Sequence, residues 1–168
     1  MEIRLAGVVP ESILDGPGYR LAVFVQGCPH GCPGCHNPKT HDFAGGYMAD
    51  TDEIIARLGK NPLVRGVTLT GGEPMMQAAA LAQIAFKAKE KGMNVWCYTG
   101  YTLESLQREN NPERMRLLEA VDVLVDGPYI AHERSLDLLY CGSRNQRLID
   151  MNATRESGEI RLYEVPEW

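Results

Sequence analysis

Cys28, Cys32 and Cys35 fall within eight residues, in the run Gly27-Cys28-Pro29-His30-Gly31-Cys32-Pro33-Gly34-Cys35-His36-Asn37-Pro38. Prolines and glycines bend this stretch, so its thiolates can converge on one compact object. Thiolates suit zinc and iron–sulfur clusters. A structural zinc site would take the three cysteines and one histidine, His30, His36 or His41, as its four ligands. Small zinc modules, however, usually pair two ligand turns far apart in sequence, and Cys97 and Cys141 each stand alone. A [4Fe–4S] cluster normally takes four cysteines. With three, one iron stays open to a small molecule, and an open coordination position separates a catalytic metal site from a structural one.

A second chemical feature is Gly71-Gly72-Glu73-Pro74. By itself it is an acidic turn at a helix start, where the dipole favours a carboxylate. Its glycines would also let the backbone approach a ligand closely. Glu73 could accept hydrogen bonds from an ammonium group.

Both features need a scaffold. Ile3 to Val8 forms a short apolar strand, and Asp15-Gly16-Pro17-Gly18 a turn. Leu21 to Gln26 is a buried strand that ends at Gly27. The following stretch to Gly46 is a loop of the length usually reserved for function. Asp50 or Thr51 caps a helix to about Leu58. Val67 to Thr70 is a strand, Pro74 opens the next helix, and Gly92 stops it. Met93 to Cys97 is a strand, Thr102 to Arg108 and Pro112 to Ala120 are helical, and Val121 to Val125 is a strand. The polar run Gly142 to Arg147 follows, and Ile160 to Tyr163 is the last strand. The repeated strand–loop–helix theme is α/β with a mostly parallel sheet. A closed eight-fold barrel needs about 250 residues, so the expected form is a partial, open (βα) barrel. The cysteine loop (27–46) and the Gly71–Pro74 turn both follow strand ends, where such folds place their chemistry.

The chain has 168 residues, 44% of them apolar and 23% charged, which fits one domain spanning residues 1–168. A net charge of −5 lacks the basic surplus of a nucleic-acid binder. No apolar run is long enough to span a membrane. The start, Met1-Glu2-Ile3-Arg4-Leu5, has no basic cluster followed by an apolar run. The expectation is therefore a cytoplasmic protein, with no nucleic acid or membrane partner. There, cysteines stay reduced.

Cys-x-x-x-Cys-x-x-Cys after the first core strand, followed by Gly71-Gly72-Glu73-Pro74 at a later strand end, resembles the signature of the radical S-adenosylmethionine enzymes. Further runs resemble the anaerobic (class III) ribonucleoside-triphosphate reductase activating proteins. These are Asp15 to Arg20, Gln26 to Pro29, Cys32 to Pro38, Tyr98 to Tyr101, Val125 to Tyr129 and Gly142 to Arg147. Together they span about residues 6 to 150.

The resemblance implies a [4Fe–4S] cluster on Cys28, Cys32 and Cys35, with S-adenosylmethionine chelating the open iron. It implies that Gly71, Gly72, Glu73 and Pro74 hold the cofactor's methionine amino group. Asp126 would lie near its methionine or ribose, with Gly34, His36 and Thr99 also in contact. Gly34 stands where many of these enzymes carry an aromatic against the adenine. The implied reaction is reductive cleavage to a 5′-deoxyadenosyl radical that takes hydrogen from a glycine of anaerobic ribonucleotide reductase. A flavodoxin or ferredoxin would supply the electron, and no side chain need act as acid or base. Rival readings are an activase of another glycyl-radical enzyme, a small-molecule radical enzyme, a zinc module and a simple electron carrier.

Overall fold

A computed structural model describes residues 1–165. Seven strands form one sheet: β1 (Glu2–Ser12), β2 (Tyr19–Val25), β3 (Tyr47–Asp50), β4 (Val64–Gly71), β5 (Asn94–Tyr98), β6 (Val123–Asp126) and β7 (Arg147–Asp150). Their order across the sheet is β3-β1-β2-β4-β5-β6-β7. The centre, β2-β4-β5-β6, is parallel as expected. Both flanks are antiparallel, β3 and β1 on one side and β7 on the other. The result is an open (βα) half-barrel with antiparallel margins.

Five helices connect or follow the strands: α1 (Thr51–Ile55), α2 (Ala78–Glu90), α3 (Leu103–Glu109), α4 (Pro112–Glu119) and α5 (Met151–Ser157). Asp50 caps α1 as the sequence suggests, and Thr102, Asn111 and Asp150 likewise cap α3, α4 and α5, each accepting a backbone N–H of the first turn. In α2, Leu81, Ile84, Ala85 and Ala88 recur at helical spacing, and all are fully buried. Gly92, in the left-handed region, follows its end.

Strand alternation divides the sheet into two faces. Leu21, Val23, Val67, Leu69, Val95, Cys97, Leu124 and Ile149 join the helices in the main core. The opposite face carries Trp96, Tyr98, Val123 and Val125, which pack with Tyr140, Leu148 and Tyr163. Arg20 and Thr68 share this second face. Arg20 is 1% exposed. Its Nε donates to Thr68 Oγ1 at 2.7 Å and its Nη2 to the Val67 carbonyl at 3.0 Å. Its guanidinium lies 5.5 Å from the centre of the Trp96 ring. Thr68 Oγ1 in turn donates to the Asp15 carbonyl at 2.6 Å. The Asp15–Arg20 run is thus bolted to β4 from within.

Four elements differ from expectation. β3 lies where the sequence suggests only the end of a loop. β7 and α5 occupy 147–157, which shows no strong period. Ile160 to Tyr163 does not make a further strand; Leu162 forms a single antiparallel bridge with Ile149.

Candidate active site

The cysteine loop leaves the end of β2 through a tied neck. Gly27 N–H donates to the Thr40 carbonyl at 2.7 Å, and Cys28 N–H to the His41 carbonyl at 3.2 Å. Gln26, 4% exposed, donates through Nε2 to the carbonyls of Lys39 (2.9 Å) and Asp42 (2.7 Å). The Gln26 carbonyl itself accepts from Gln77 Nε2 at 3.1 Å. The loop is therefore held at its base while its cysteines stand clear.

The Gly71–Pro74 turn packs directly against this neck. Gly72 N–H donates to the Val25 carbonyl and Glu73 N–H to the Gly27 carbonyl, both at 2.8 Å. Gly71 has φ +101°, and a Cβ there would sit 2.5 Å from the Val25 nitrogen. A Cβ on Gly72 would sit 2.3 Å from the Gly27 carbonyl oxygen. The two glycines are thus required first for backbone-to-backbone packing of two strand ends.

A cavity of about 400 Å³ opens where these ends meet. Cys28, Cys32, Cys35 and His36 line it from the cysteine loop, and Gly71 and Gly72 from the end of β4. Thr99 and Gly100 contribute from the end of β5, and Tyr129 and Gln146 from the segment after β6. The sequence-derived candidates therefore divide. Cys28, Cys32, Cys35, His36, Gly71, Gly72 and Thr99 meet at the cavity. Gly34, Glu73, Pro74 and Asp126 are not on its wall.

Each of these four has a visible place. Gly34 faces Ala131 and Tyr129, and Pro74 is buried in a short 3-10 turn. Asp126, 1% exposed, accepts from Leu103 N–H at 2.8 Å and from both Nε (3.0 Å) and Nη2 (2.6 Å) of Arg147. Glu73, also 1% exposed, accepts from Met75 N–H at 2.9 Å, Gly100 N–H at 2.7 Å, Thr99 Oγ1 at 2.9 Å and His30 Nε2 at 2.6 Å.

Sequence reasoning passed over several contributors. His30 was weighed only as a zinc ligand, because its partner Glu73 lies 43 residues away in sequence. Tyr129, whose ring centre is 5.1 Å from that of His36, lies in the Val125–Tyr129 run that carries the family resemblance, but with no role of its own legible in sequence. Gln146, within the Gly142–Arg147 run that sequence singles out, ties the segment after β6 together, its Oε1 accepting from Gly142 N–H at 2.8 Å and its Nε2 donating to the Gly127 carbonyl at 3.1 Å.

All five cysteines are free thiols. Burial pushes the Cys28 thiol up, while the His30 amide pulls it the other way. Cys97 is fully enclosed in the main core, and burial pushes its thiol well up. Cys141 lines the cavity, but burial, reinforced by Asp126, pushes it up to about 11. The donors that the sequence groups in one turn are the three loop thiols, Cys28, Cys32 and Cys35. Among the described residues, no three His, Cys, Asp or Glu side chains meet closely enough to hold one metal ion. Soft thiols are the donors that iron–sulfur clusters take. The cavity volume is within the range of small-molecule and cofactor sites.

Residues 14–149 match the 4Fe-4S single cluster domain family. The chain is 37% identical over 145 residues to the anaerobic ribonucleoside-triphosphate reductase-activating protein of Vibrio cholerae, covering 82% of this chain and 91% of that one. With the Escherichia coli K12 protein of the same name the identity is 34%, over 82% of this chain and 92% of that one. With that of enterobacteria phage T4 it is 33%, over 84% and 90%. Among solved structures, that of QueE from Escherichia coli aligns with a TM-score of 0.47 at 16% identity, over 75% of this chain and 70% of that one. With its cysteine loop inside the matched region and relatives aligned over most of both chains, this protein belongs to the anaerobic ribonucleoside-triphosphate reductase-activating protein family.

Proposed function

We propose that this chain is a radical S-adenosylmethionine enzyme that installs a glycyl radical on an anaerobic ribonucleoside-triphosphate reductase. The observation that carries the reading is the shared cavity. Three loop thiols, the Gly71–Gly72 backbone and the Thr99–Gly100 corner face one space of about 400 Å³. A simple electron carrier would need no such space beside its cluster.

When bound, the [4Fe–4S] cluster supplies one electron to S-adenosylmethionine, whose cleavage gives the 5′-deoxyadenosyl radical that takes a hydrogen atom from the reductase glycine. The protein's share is binding and orientation. Cys28, Cys32 and Cys35 would hold the cluster, and with three protein thiolates it would keep a position open to the cofactor. Gly71, Gly72 and Thr99 border the methionine end. His36 and Tyr129, with Gly34 beside them, would offer the cofactor a further wall of the cavity. Glu73, Pro74 and Asp126 act from behind this wall. Asp126 fixes the start of α3 and Arg147, and Glu73 joins the loops.

The reading implies a cytoplasmic protein with reduced thiols and a flavodoxin or ferredoxin as electron donor. Among the described residues no helix is long and apolar enough to cross a membrane.

The test is anaerobic reconstitution with iron and sulfide, followed by dithionite and S-adenosylmethionine, with chromatography for 5′-deoxyadenosine. The wild type should release it. Cys32→Ala should lose at least about a hundredfold, the scale of removing a group the reaction depends on. A Cys32→Ala variant that cleaves at the wild-type rate would contradict the three-thiol centre.

A further inference from the structure

We infer that His30 is a positioning residue: through its hydrogen bond to Glu73 it locks the cysteine loop onto the corner that borders the cofactor cavity. The inference rests on the proposed function for what the cavity binds. His30 sits between two of the three loop cysteines. Its Nε2 lies 2.6 Å from Glu73 Oε1, and the two side chains are 17% and 0% exposed. An ionised carboxylate only accepts, so the imidazole nitrogen is the donor.

Glu73 has no acceptor capacity to spare. A carboxylate offers about four lone-pair sites. Here Oε1 takes His30 Nε2 and Gly100 N–H, Oε2 takes Met75 N–H, and Thr99 Oγ1 lies 2.9 and 3.0 Å from the two oxygens. A cofactor ammonium could reach this carboxylate only by displacing one of those donors. Glu73 is therefore a junction rather than a free acceptor. It joins the end of β4 to Thr99 and Gly100 at the end of β5, and His30 is the one donor that comes from the cysteine loop.

The surroundings are shaped for this contact. A Cβ on Gly100 would lie 2.6 Å from His30 Cδ2, so only glycine leaves the ring its place. The Tyr101 ring meets His30 edge-on with centres 4.6 Å apart. The neck bonds at Gly27 and Cys28 secure the base of the loop; His30 secures it between the cysteines.

The experiment compares His30→Ala, His30→Gln and Tyr101→Leu with the wild type in two measurements. The first is protease cleavage within residues 28–42 of the metal-free protein. The second, on cluster-loaded protein, is the affinity for S-adenosylmethionine read from the change it causes in the electron paramagnetic resonance signal of the reduced cluster. His30→Ala should be cleaved faster and bind about tenfold more weakly, the scale of one hydrogen bond to a charged group. His30→Gln, which keeps a donor N–H, should recover most of both. Tyr101→Leu, which removes packing and leaves the hydrogen bond, should stay near wild type. The inference is overturned if His30→Ala matches the wild type in both measurements, if His30→Gln is no better than His30→Ala, or if Tyr101→Leu loses as much. A wild type whose cluster signal ignores S-adenosylmethionine would instead overturn the proposed function, and the cleavage comparison would still decide the role of His30.

Discussion

At Gly72 one methyl group would meet the Gly27 carbonyl oxygen at 2.3 Å, so the space there belongs to the backbone of the cysteine loop. Gly72→Ala should push that loop off the end of β4. We expect a loss of roughly 1–3 kcal/mol in stability, the range for a backbone conflict of this kind. Release of 5′-deoxyadenosine should fall at least about tenfold, as for other displacements of about 1 Å near reacting groups. Thermal denaturation and the cleavage assay on the same sample check both. The residue scale is also where sequence reading was strongest and where it stopped. Three thiols in one turn, and two glycines before an acid, announce their chemistry through local spacing. The occupancy of Glu73 does not, because its donors arrive from three separate loops. The glycines point to close approach in sequence; the structure shows that the nearest neighbour is the chain itself.

Among the elements, β2 and β4 carry the site, and Arg20 joins them beneath it. A Cβ on Gly66 would come within 2.3 Å of Arg20 Nη1, so the guanidinium fills a slot reserved for it. Burial lowers its pKa to about 10. Arg20→Lys cannot reproduce the fork that reaches both Thr68 and the Val67 carbonyl. It should cost on the order of 2 kcal/mol, seen as an earlier denaturant midpoint with an unchanged slope.

Asp122 performs a similar task at the other side of the sheet. It is pulled against burial below its ordinary value of 3.8 by hydrogen bonds from Lys89, Asn152 and Val95 N–H. A carboxylate lowered in the folded state contributes stability above its unfolded pKa and loses it as pH falls through the folded one. The wild type should therefore lose stability below about pH 4 more steeply than Asp122→Asn. At neutral pH that variant should be weaker by on the order of 1 kcal/mol. Melts between pH 3 and 7 would show it.

The parallel centre was legible in the sequence because Leu21 to Gln26, Val67 to Thr70, Met93 to Cys97 and Val121 to Val125 are apolar runs closed by turn residues. β3 and β7 were not. Tyr47–Asp50 and Arg147–Asp150 are four residues each, end in charge, and become strands only by pairing with β1 and β6.

In the whole molecule the helices cover one face of the sheet, and the other face leads from Trp96 to the cysteine loop. This asymmetry leaves the ends of the parallel strands approachable, as the attack on a glycine within another protein requires. The open half-barrel follows from chain length and repeat pattern, whereas its antiparallel margins depend on tertiary pairing. Activation joins two proteins, so the deciding measurement uses both. The reconstituted chain, S-adenosylmethionine and a reductant are mixed anaerobically with a purified anaerobic ribonucleoside-triphosphate reductase, and electron paramagnetic resonance is recorded. A glycyl radical should appear on the reductase, formed with 5′-deoxyadenosine and absent when Cys28, Cys32 or Cys35 is alanine. A fully loaded cluster that yields neither the radical nor 5′-deoxyadenosine, beside a reductase that a known activating protein does convert, would contradict the proposed function.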